Sequence, residues 1–180
     1  MLEARSMNQK IIKGGIIGGL VVFVWGMLSW MVLPWHKPLL KPFKDEGIVR
    51  PLLVSNASQS GVYILPHQYG DDQKTGEEPF VFTVMNPKGL APIGFLMLRS
   101  LAIQILGAGL VTWLLLQTRL PDDNTRLGFV VIVALTAGVV CHLPNWNWWG
   151  FPTDYTFVQI ADLTIGWFFA GLAILKIVLK

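Results

Sequence analysis

The sequence predicts an all-α membrane protein, a bundle of four transmembrane helices, on three observations. Of its 180 residues, 53% are hydrophobic and only 14% are charged, whereas soluble domains carry about 25% charged residues. The charged residues are segregated, which leaves four long apolar stretches. Each stretch reaches the roughly 20 residues that a helix needs to cross a bilayer.

Proline and polar residues bound the four predicted spans. Proline lacks a backbone N–H, so Pro34 and Pro144 are expected to stop the first and third spans. Residues 121–124 are expected to break the chain and cap the third span, and Thr153 or Asp154 is the expected N-cap of the fourth. The spans are residues 14–33, 93–116, 127–143 and 155–175 of a single membrane domain, 1–180.

A polar segment, residues 34–92, separates the first two spans. Residues 62–65 and 80–84 are rich in β-branched and aromatic side chains, which predicts a small β-hairpin. The polar stretch 70–76 would connect its strands. Residues 45–56 are expected to form a short helix disturbed by Pro51.

The orientation follows from lysine and arginine in short flanks and loops. The basic residues near both termini and in the turn at 117–126 would lie on one side, which predicts a multi-pass protein with cytoplasmic termini and residues 34–92 outside. The first span is too long for a signal-peptide core of about 7–15 residues and is expected to remain as an anchor. The net charge of +3 is modest, so no nucleic-acid partner is predicted.

Two charged residues fall inside the predicted spans, Arg99 in the second and Asp162 in the fourth. A charge in hydrocarbon costs at least about 2.5 kcal/mol, and pairing is the cheapest remedy. Both spans run in the same direction and place the two residues at similar depth. We therefore expect an intramembrane ion pair with a structural role. A proton or ion relay, a ligand site, or an Arg99 that reaches the outer headgroups are the alternatives.

The same two spans each carry a polar face. Ser100 and Gln104 share one side of the second span, and Gln159 shares a side of the fourth with Asp162. We expect these faces to meet in a close, hydrogen-bonded helix contact. A water-filled cavity between them is the alternative.

The first span carries two glycine pairs at a spacing of four residues, Gly14 with Gly18 and Gly15 with Gly19. Small residues at this spacing allow helices to pack closely. The pairs are predicted to pack within the bundle, with a homodimer or a partner subunit as alternatives.

Three tryptophans stand in the short connection between the third and fourth spans: Trp146, Trp148 and Trp149. Tryptophan is enriched at membrane–water interfaces, so an aromatic belt is expected. A surface for a lipid, a quinone-like ring or a partner helix is the alternative.

His36 and His142 fall at the outer ends of spans. Two facing histidines can ligate haem or a metal, but no further ligand pattern accompanies them, so they are expected to be interfacial polar side chains. Cys141 is the single cysteine, which excludes an intrachain disulfide, and it is expected to be a small buried hydrophobe.

Short motifs follow one another along the chain: Trp25-Gly26, Ser29, Leu33-Pro34, Asp45-Glu46, Gly61-Val62-Tyr63, Pro66, Trp148-Trp149-Gly150-Phe151-Pro152 and Gly166-Trp167. In these motifs the chain resembles a group of small bacterial inner-membrane proteins to which no activity is assigned. The resemblance covers nearly the whole chain and implies four spans in a bacterial inner membrane. With the orientation predicted from the basic residues, residues 34–92 would be periplasmic or extracellular. It implies no activity.

No enzyme activity, cofactor or metal is predicted, because no reactive constellation stands out. The expected function is a non-catalytic accessory, scaffold or assembly subunit, in contact with the bilayer and with a membrane protein partner or a second copy. One alternative is a small oligomeric transporter or channel that uses Arg99 and Asp162. Another is a redox subunit that holds haem or quinone near His36 and His142.

Overall fold

A computed structural model of the chain describes residues 2–67 and 78–179. The predicted connecting stretch 70–76 lies outside the described residues. The chain divides into two units, one formed by the described residues of 1–40 and 93–180, the other by those of 41–92. The elements in chain order are α1 (Leu2–Met31), a 3₁₀ turn (Lys37–Leu39), α2 (Glu46–Asn56), β1 (Gly61–Leu65), β2 (Val81–Met85), α3 (Ile93–Gln117), α4 (Asp123–Trp149), α5 (Thr153–Ala173) and a π-helical turn (Ile174–Val178).

Four helices of the first unit are long and apolar enough to cross a membrane: Arg5–Met31, Ile93–Gln117, Asp123–Trp149 and Thr153–Val178. They confirm the number and approximate position of the predicted apolar helices. Their length and composition are compatible with a multi-pass membrane protein.

The third of these helices is longer than predicted because Pro144 lies inside α4 and does not end it. The helix ends at Gly150, whose φ of 64° is a left-handed conformation that glycine adopts without strain. Near the proline, the Asn145 side chain donates a hydrogen bond to the Cys141 carbonyl oxygen at 3.0 Å. The predicted end at 143 is therefore wrong. Cys141 is exposed on this helix, so its expected burial is wrong as well.

The starts of α4 and α5 differ. Asp122 precedes α4, and its Oδ1 accepts a hydrogen bond from the Thr125 backbone N–H at 2.9 Å, which confirms the predicted cap. α5 begins at Thr153 with Pro152 in the capping position and no side-chain cap. The expectation that Thr153 or Asp154 caps this helix is therefore wrong.

Four of the five glycines of α1 face other helices of the same chain: Gly14, Gly15, Gly18 and Gly19. A methyl group on Gly19 would lie 2.6 Å from the Ile105 Cα atom, and one on Gly18 would lie 2.8 Å from the Ile174 side chain. Only glycine therefore lets the backbones of α1 and α3 approach so closely.

The apolar core of this unit lies where α3 ends and α4 begins. Val111 and Leu115 of α3 pack with Val130 of α4 and with Ile174 and Leu175 of the π-helical turn. α1 packs along both α3 and α5, and α5 packs along α4, whereas the consecutive helices α3 and α4 make little contact. The helices therefore lie side by side in the order α3, α1, α5, α4.

The second unit consists of the short helix and the hairpin that the sequence predicts. Asp45 caps α2 by accepting a hydrogen bond from the Ile48 backbone N–H at 3.1 Å, and Pro51 lies within the helix. β1 and β2 pair antiparallel, from Gly61 with Met85 to Leu65 with Val81. Both elements are confirmed, with boundaries shifted by one residue.

Candidate functional site: a buried histidine–aspartate cluster beside a polar cavity

A group of polar and aromatic side chains joins the C-terminal end of α1 to the middle of α5. It consists of Trp25, Ser29, Trp35, His36 and Asp162, which we call the Asp162 cluster. Four of its members come from the last turns of α1 and the residues that follow. Because α1 ends at Met31 and the chain turns back at once, His36 is almost fully buried, at 1% exposure.

Hydrogen bonds hold the cluster together. Nε2 of His36 lies 2.9 Å from Ser29 Oγ and 3.2 Å from Asp162 Oδ2. The Trp25 indole N–H donates to Asp162 Oδ1 at 2.7 Å and to the Asp162 carbonyl oxygen at 3.1 Å. The Trp35 indole N–H donates to Ser29 Oγ at 2.9 Å. The two oxygens of the carboxylate thus each have a partner from α1 or the turn after it.

Two packing features position these side chains. Trp30 stacks flat on the His36 ring, with 3.9 Å between ring centroids and 5° between planes. On α5, Gly166 follows Asp162 by one turn, and a methyl group there would lie 2.7 Å from Trp25 Cδ1. The glycine leaves room for the indole to pack against α5 and reach the carboxylate.

One ring nitrogen of His36 lies outside this hydrogen-bond network. Nδ1 of His36 is buried and has no hydrogen-bond partner among the described residues. A doubly protonated ring would leave a buried N–H without an acceptor, which is costly. A neutral ring with its proton on Nε2 would instead leave the Nδ1 lone pair without a donor. In either state, Nε2 of His36 lies within hydrogen-bond distance of Asp162 Oδ2, while the Trp25 indole N–H donates to Oδ1.

The cluster contains the residue types of a nucleophilic triad but not the geometry. In such a triad the serine and the acid bond to opposite ring nitrogens of the histidine. Here Ser29 and Asp162 lie against the same nitrogen, Nε2. Ser29 is fully buried, at 0% exposure. The arrangement ties α1 to α5 and does not present a nucleophile.

Arg99 is not part of this cluster, which corrects the predicted Arg99–Asp162 pair. Its side chain is exposed on α3, and its guanidinium carbon lies 4.3 Å from the centroid of the Phe95 ring. Within the described residues, no ion pair joins it to Asp162. Successive helical residues point about 100° apart, so when Ser100 faces the interior, Arg99 is turned toward the surface.

A cavity of about 450 Å³ lies beside the cluster, between α1, α3, α4 and α5. The two predicted polar faces border it, with Ser100 and Gln104 on α3 and Gln159 and Asp162 on α5. α3 and α5 themselves make little contact. The expectation that these faces meet in a tight contact is therefore wrong, because a cavity separates them.

Gln159 and His142 are two further polar residues that border the cavity. Nε2 of Gln159 is buried and has no hydrogen-bond partner among the described residues. His142 borders the cavity, whereas His36 is bonded within the Asp162 cluster. In the described part of the chain, no group of three His, Cys, Asp or Glu side chains is placed to hold a metal ion.

The three tryptophans near the end of α4 lie apart from this site. Trp146 donates from its indole N–H to Thr153 Oγ1 at 3.1 Å, which links the end of α4 to the start of α5. Trp148 is 73% exposed, and Trp149 is half-buried. The tryptophans of the site, Trp25 and Trp35, were not predicted.

A signal for the missed cluster exists in the sequence. Trp25 and Ser29 are four residues apart and share a face of α1. Asp162 is the single acidic residue within the predicted spans, and His36 is a titratable group expected at a nearby level. No family model, curated protein or solved structure matches the chain.

Proposed function

We propose that this chain is a non-catalytic accessory, scaffold or assembly subunit of a membrane protein complex, in a bacterial inner membrane. The observation that carries this proposal is the closed state of the Asp162 cluster. Its serine is fully buried and its histidine nitrogen is shared between serine and carboxylate. Such a cluster fixes the position of two helices and leaves no nucleophile free to meet a substrate.

The outward surface of the helices supports the same function. In the most apolar stretch of α3, only 6% of the residues are buried within the chain. Leu98, Ile103, Leu106 and Leu110 are each more than half exposed along this helix. A bilayer or the helices of another subunit would cover this surface, and either is the environment of a membrane subunit.

Co-purification tests this proposal. The tagged chain is extracted from its native membranes in a mild detergent, with the untagged strain as control. We expect a membrane protein to co-purify in fixed stoichiometry, and its assembled form to decrease in cells that lack this chain. Catalytic turnover or solute flux by the purified chain alone would contradict the proposal.

A transporter or channel is the second candidate, favoured by the polar cavity beside Asp162. Arg99 does not border this cavity among the described residues. The packed core of Val111, Leu115, Val130 and Ile174 occupies the other end of the helices. Transport would require this core to open. Flux in proteoliposomes that is abolished by Asp162→Asn would favour this candidate.

A redox subunit holding haem or quinone near His36 and His142 is a weaker candidate on this geometry. His36 uses Nε2 within the Asp162 cluster, and its Nδ1 is buried. Ligation by this histidine would require the cluster to come apart. A haem or quinone absorbance band in the protein purified from native membranes would favour it.

A further inference from the structure

We propose that the cavity beside the Asp162 cluster binds a small organic ammonium ion that carries a neighbouring oxygen, with the Asp162 carboxylate as its counter-ion. An amino alcohol, free or as a lipid headgroup, has this chemistry. The inference goes beyond the proposed subunit function and does not depend on it.

The cavity has the size and mixed lining of a ligand site. Its volume of about 450 Å³ lies within the range of about 300–1,000 Å³ that is typical of small-molecule pockets. Its walls are mainly apolar, with Val22, Met27, Leu96 and Leu163 among them. A few polar groups converge on it: Ser100, Gln104, His142, Gln159 and Asp162. Such a lining suits a ligand with an apolar body and one polar end.

The charge of the cavity favours a cation. Asp162 is the one charged side chain among the described residues that border it, and no Lys or Arg does so. The Asp162 side chain borders the cavity and is 12% exposed. Trp25 donates an uncharged indole N–H to the carboxylate, and His36 Nε2 lies 3.2 Å from it. An unneutralised carboxylate within apolar helices is costly, and a bound cation would remove that cost.

The surrounding groups favour an organic ammonium ion over an inorganic cation. Hard metal ions such as calcium bind six or more oxygen ligands, and the cavity offers a single carboxylate. The indole rings of Trp25 and Trp30 border the cavity, and aromatic rings attract ammonium groups. Ser100 and Gln104 add oxygen acceptors for ammonium N–H or polarised methyl groups.

The buried amide of Gln159 accounts for the oxygen of the ligand. Its Nε2 is a donor without an acceptor in the described part of the chain, which costs free energy unless a partner enters. Gln159 and Asp162 both border the cavity from α5. When the Gln159 side chain turns its amide toward the cavity, its N–H can donate to a hydroxyl or ester oxygen next to the ammonium group, which meets Asp162.

Calorimetric titration of the full chain with choline tests the proposal. The protein is held in nanodiscs of phosphatidylglycerol, which has no ammonium group. The neutral isostere 3,3-dimethylbutan-1-ol has the same shape and hydroxyl group as choline. We expect choline to bind and the neutral isostere to bind at least about tenfold more weakly, because it cannot pair with the carboxylate.

Three variants separate the site from the rest of the fold. Asp162→Asn should weaken choline binding by about thirtyfold or more. Because this variant also disturbs the cluster, Gln104→Leu, which borders the cavity outside the cluster, provides a second test and should weaken binding several-fold. Asp154→Asn is the matched control, since Asp154 is exposed on the same helix, and should bind as the unchanged chain does.

A second membrane identifies the source of the ligand. If phosphatidylethanolamine in the nanodisc competes with choline, the natural occupant is a lipid headgroup; if it does not, the occupant is a free amino alcohol. Both results support an ammonium site. Equal binding of choline and the neutral isostere, or no choline binding by correctly folded protein in phosphatidylglycerol, would overturn the proposal and leave a hydrated cavity only.

Discussion

Nε2 of His36 lies 3.2 Å from Oδ2 of Asp162, although the two residues are far apart in the sequence. This contact joins the turn after α1 to the middle of α5, and the Trp25 indole reinforces it from α1. Because Asp162 is the single acidic residue in the apolar part of the helices, its partners determine how α1 and α5 are held together.

Gly166→Ala tests how the Trp25 indole is seated. The added methyl group would lie 2.7 Å from Trp25 Cδ1, so the ring must move away from Asp162. We expect a loss of about 1–3 kcal/mol in the free energy of unfolding, the usual cost of overpacking, measured by unfolding of the purified chain in detergent. Gly128→Ala is the control, because nothing lies within 4 Å of its added methyl group. Equal effects of the two substitutions would contradict the packing described.

Trp25→Phe tests the hydrogen bonds from the indole. Phenylalanine keeps an aromatic ring but cannot donate to Asp162, so we expect unfolding to become easier by about 1.5–3 kcal/mol, the usual worth of a hydrogen bond to a charged group. Trp148→Phe serves as the matched change at an exposed tryptophan and should alter stability little. If Trp148→Phe instead released a bound lipid or protein, the end of α4 would be a docking surface and not an interfacial belt.

The sequence predicts the elements well because their signals are local. Apolar length gives the four long helices, and Asp45 and Asp122 mark the starts of α2 and α4 as capping residues. Pro144 is the predicted end of the third span, although the left-handed Gly150 ends α4. Local sequence signals do not show whether the residues after Pro144 remain helical.

The partners of Asp162 could not be predicted from depth alone. The sequence places Arg99 and Asp162 at similar depth on spans expected to run the same way, but depth does not give the rotation of a residue about the helix axis. Arg99 points outward on α3. His36 reaches Asp162 because the chain folds back after α1, and hydrophobic periodicity carries no information about such a turn.

The proposed topology is testable with reporter fusions. The basic residues beside the spans predict that a periplasmic reporter is active when fused after Lys74 and that a cytoplasmic reporter is active after Lys180. Activities are normalised to the amount of each fusion in the membrane. A cytoplasmic signal after Lys74 would contradict the orientation.

The start of α4 should depend on acid through Asp122. Hydrogen bonds from the Thr125 backbone N–H and hydroxyl group hold the pKa of Asp122 below its ordinary value of 3.8. The capping stabilisation is therefore fully present above that value and is lost as the pH falls through the lower pKa of the folded state.

Hydrogen exchange at the first turn of α4 measures this dependence. We expect faster exchange at acidic pH than the intrinsic rate accounts for. Asp122→Asn is the control, since asparagine also caps helices but does not titrate, and it should remove the pH dependence. The same dependence in the asparagine variant would show that another group is responsible.

A double-mutant cycle between His36 and Asp162 tests most directly whether the buried cluster, and not an Arg99 pair, holds Asp162. His36→Leu, Asp162→Leu and the double variant are compared by their free energies of unfolding in detergent. A parallel cycle pairs Arg99→Leu with Asp162→Leu. We expect a coupling of about 0.5–3 kcal/mol between His36 and Asp162, and additivity within about 0.5 kcal/mol for Arg99 with Asp162. Additive effects for His36 together with strong coupling to Arg99 would contradict the cluster.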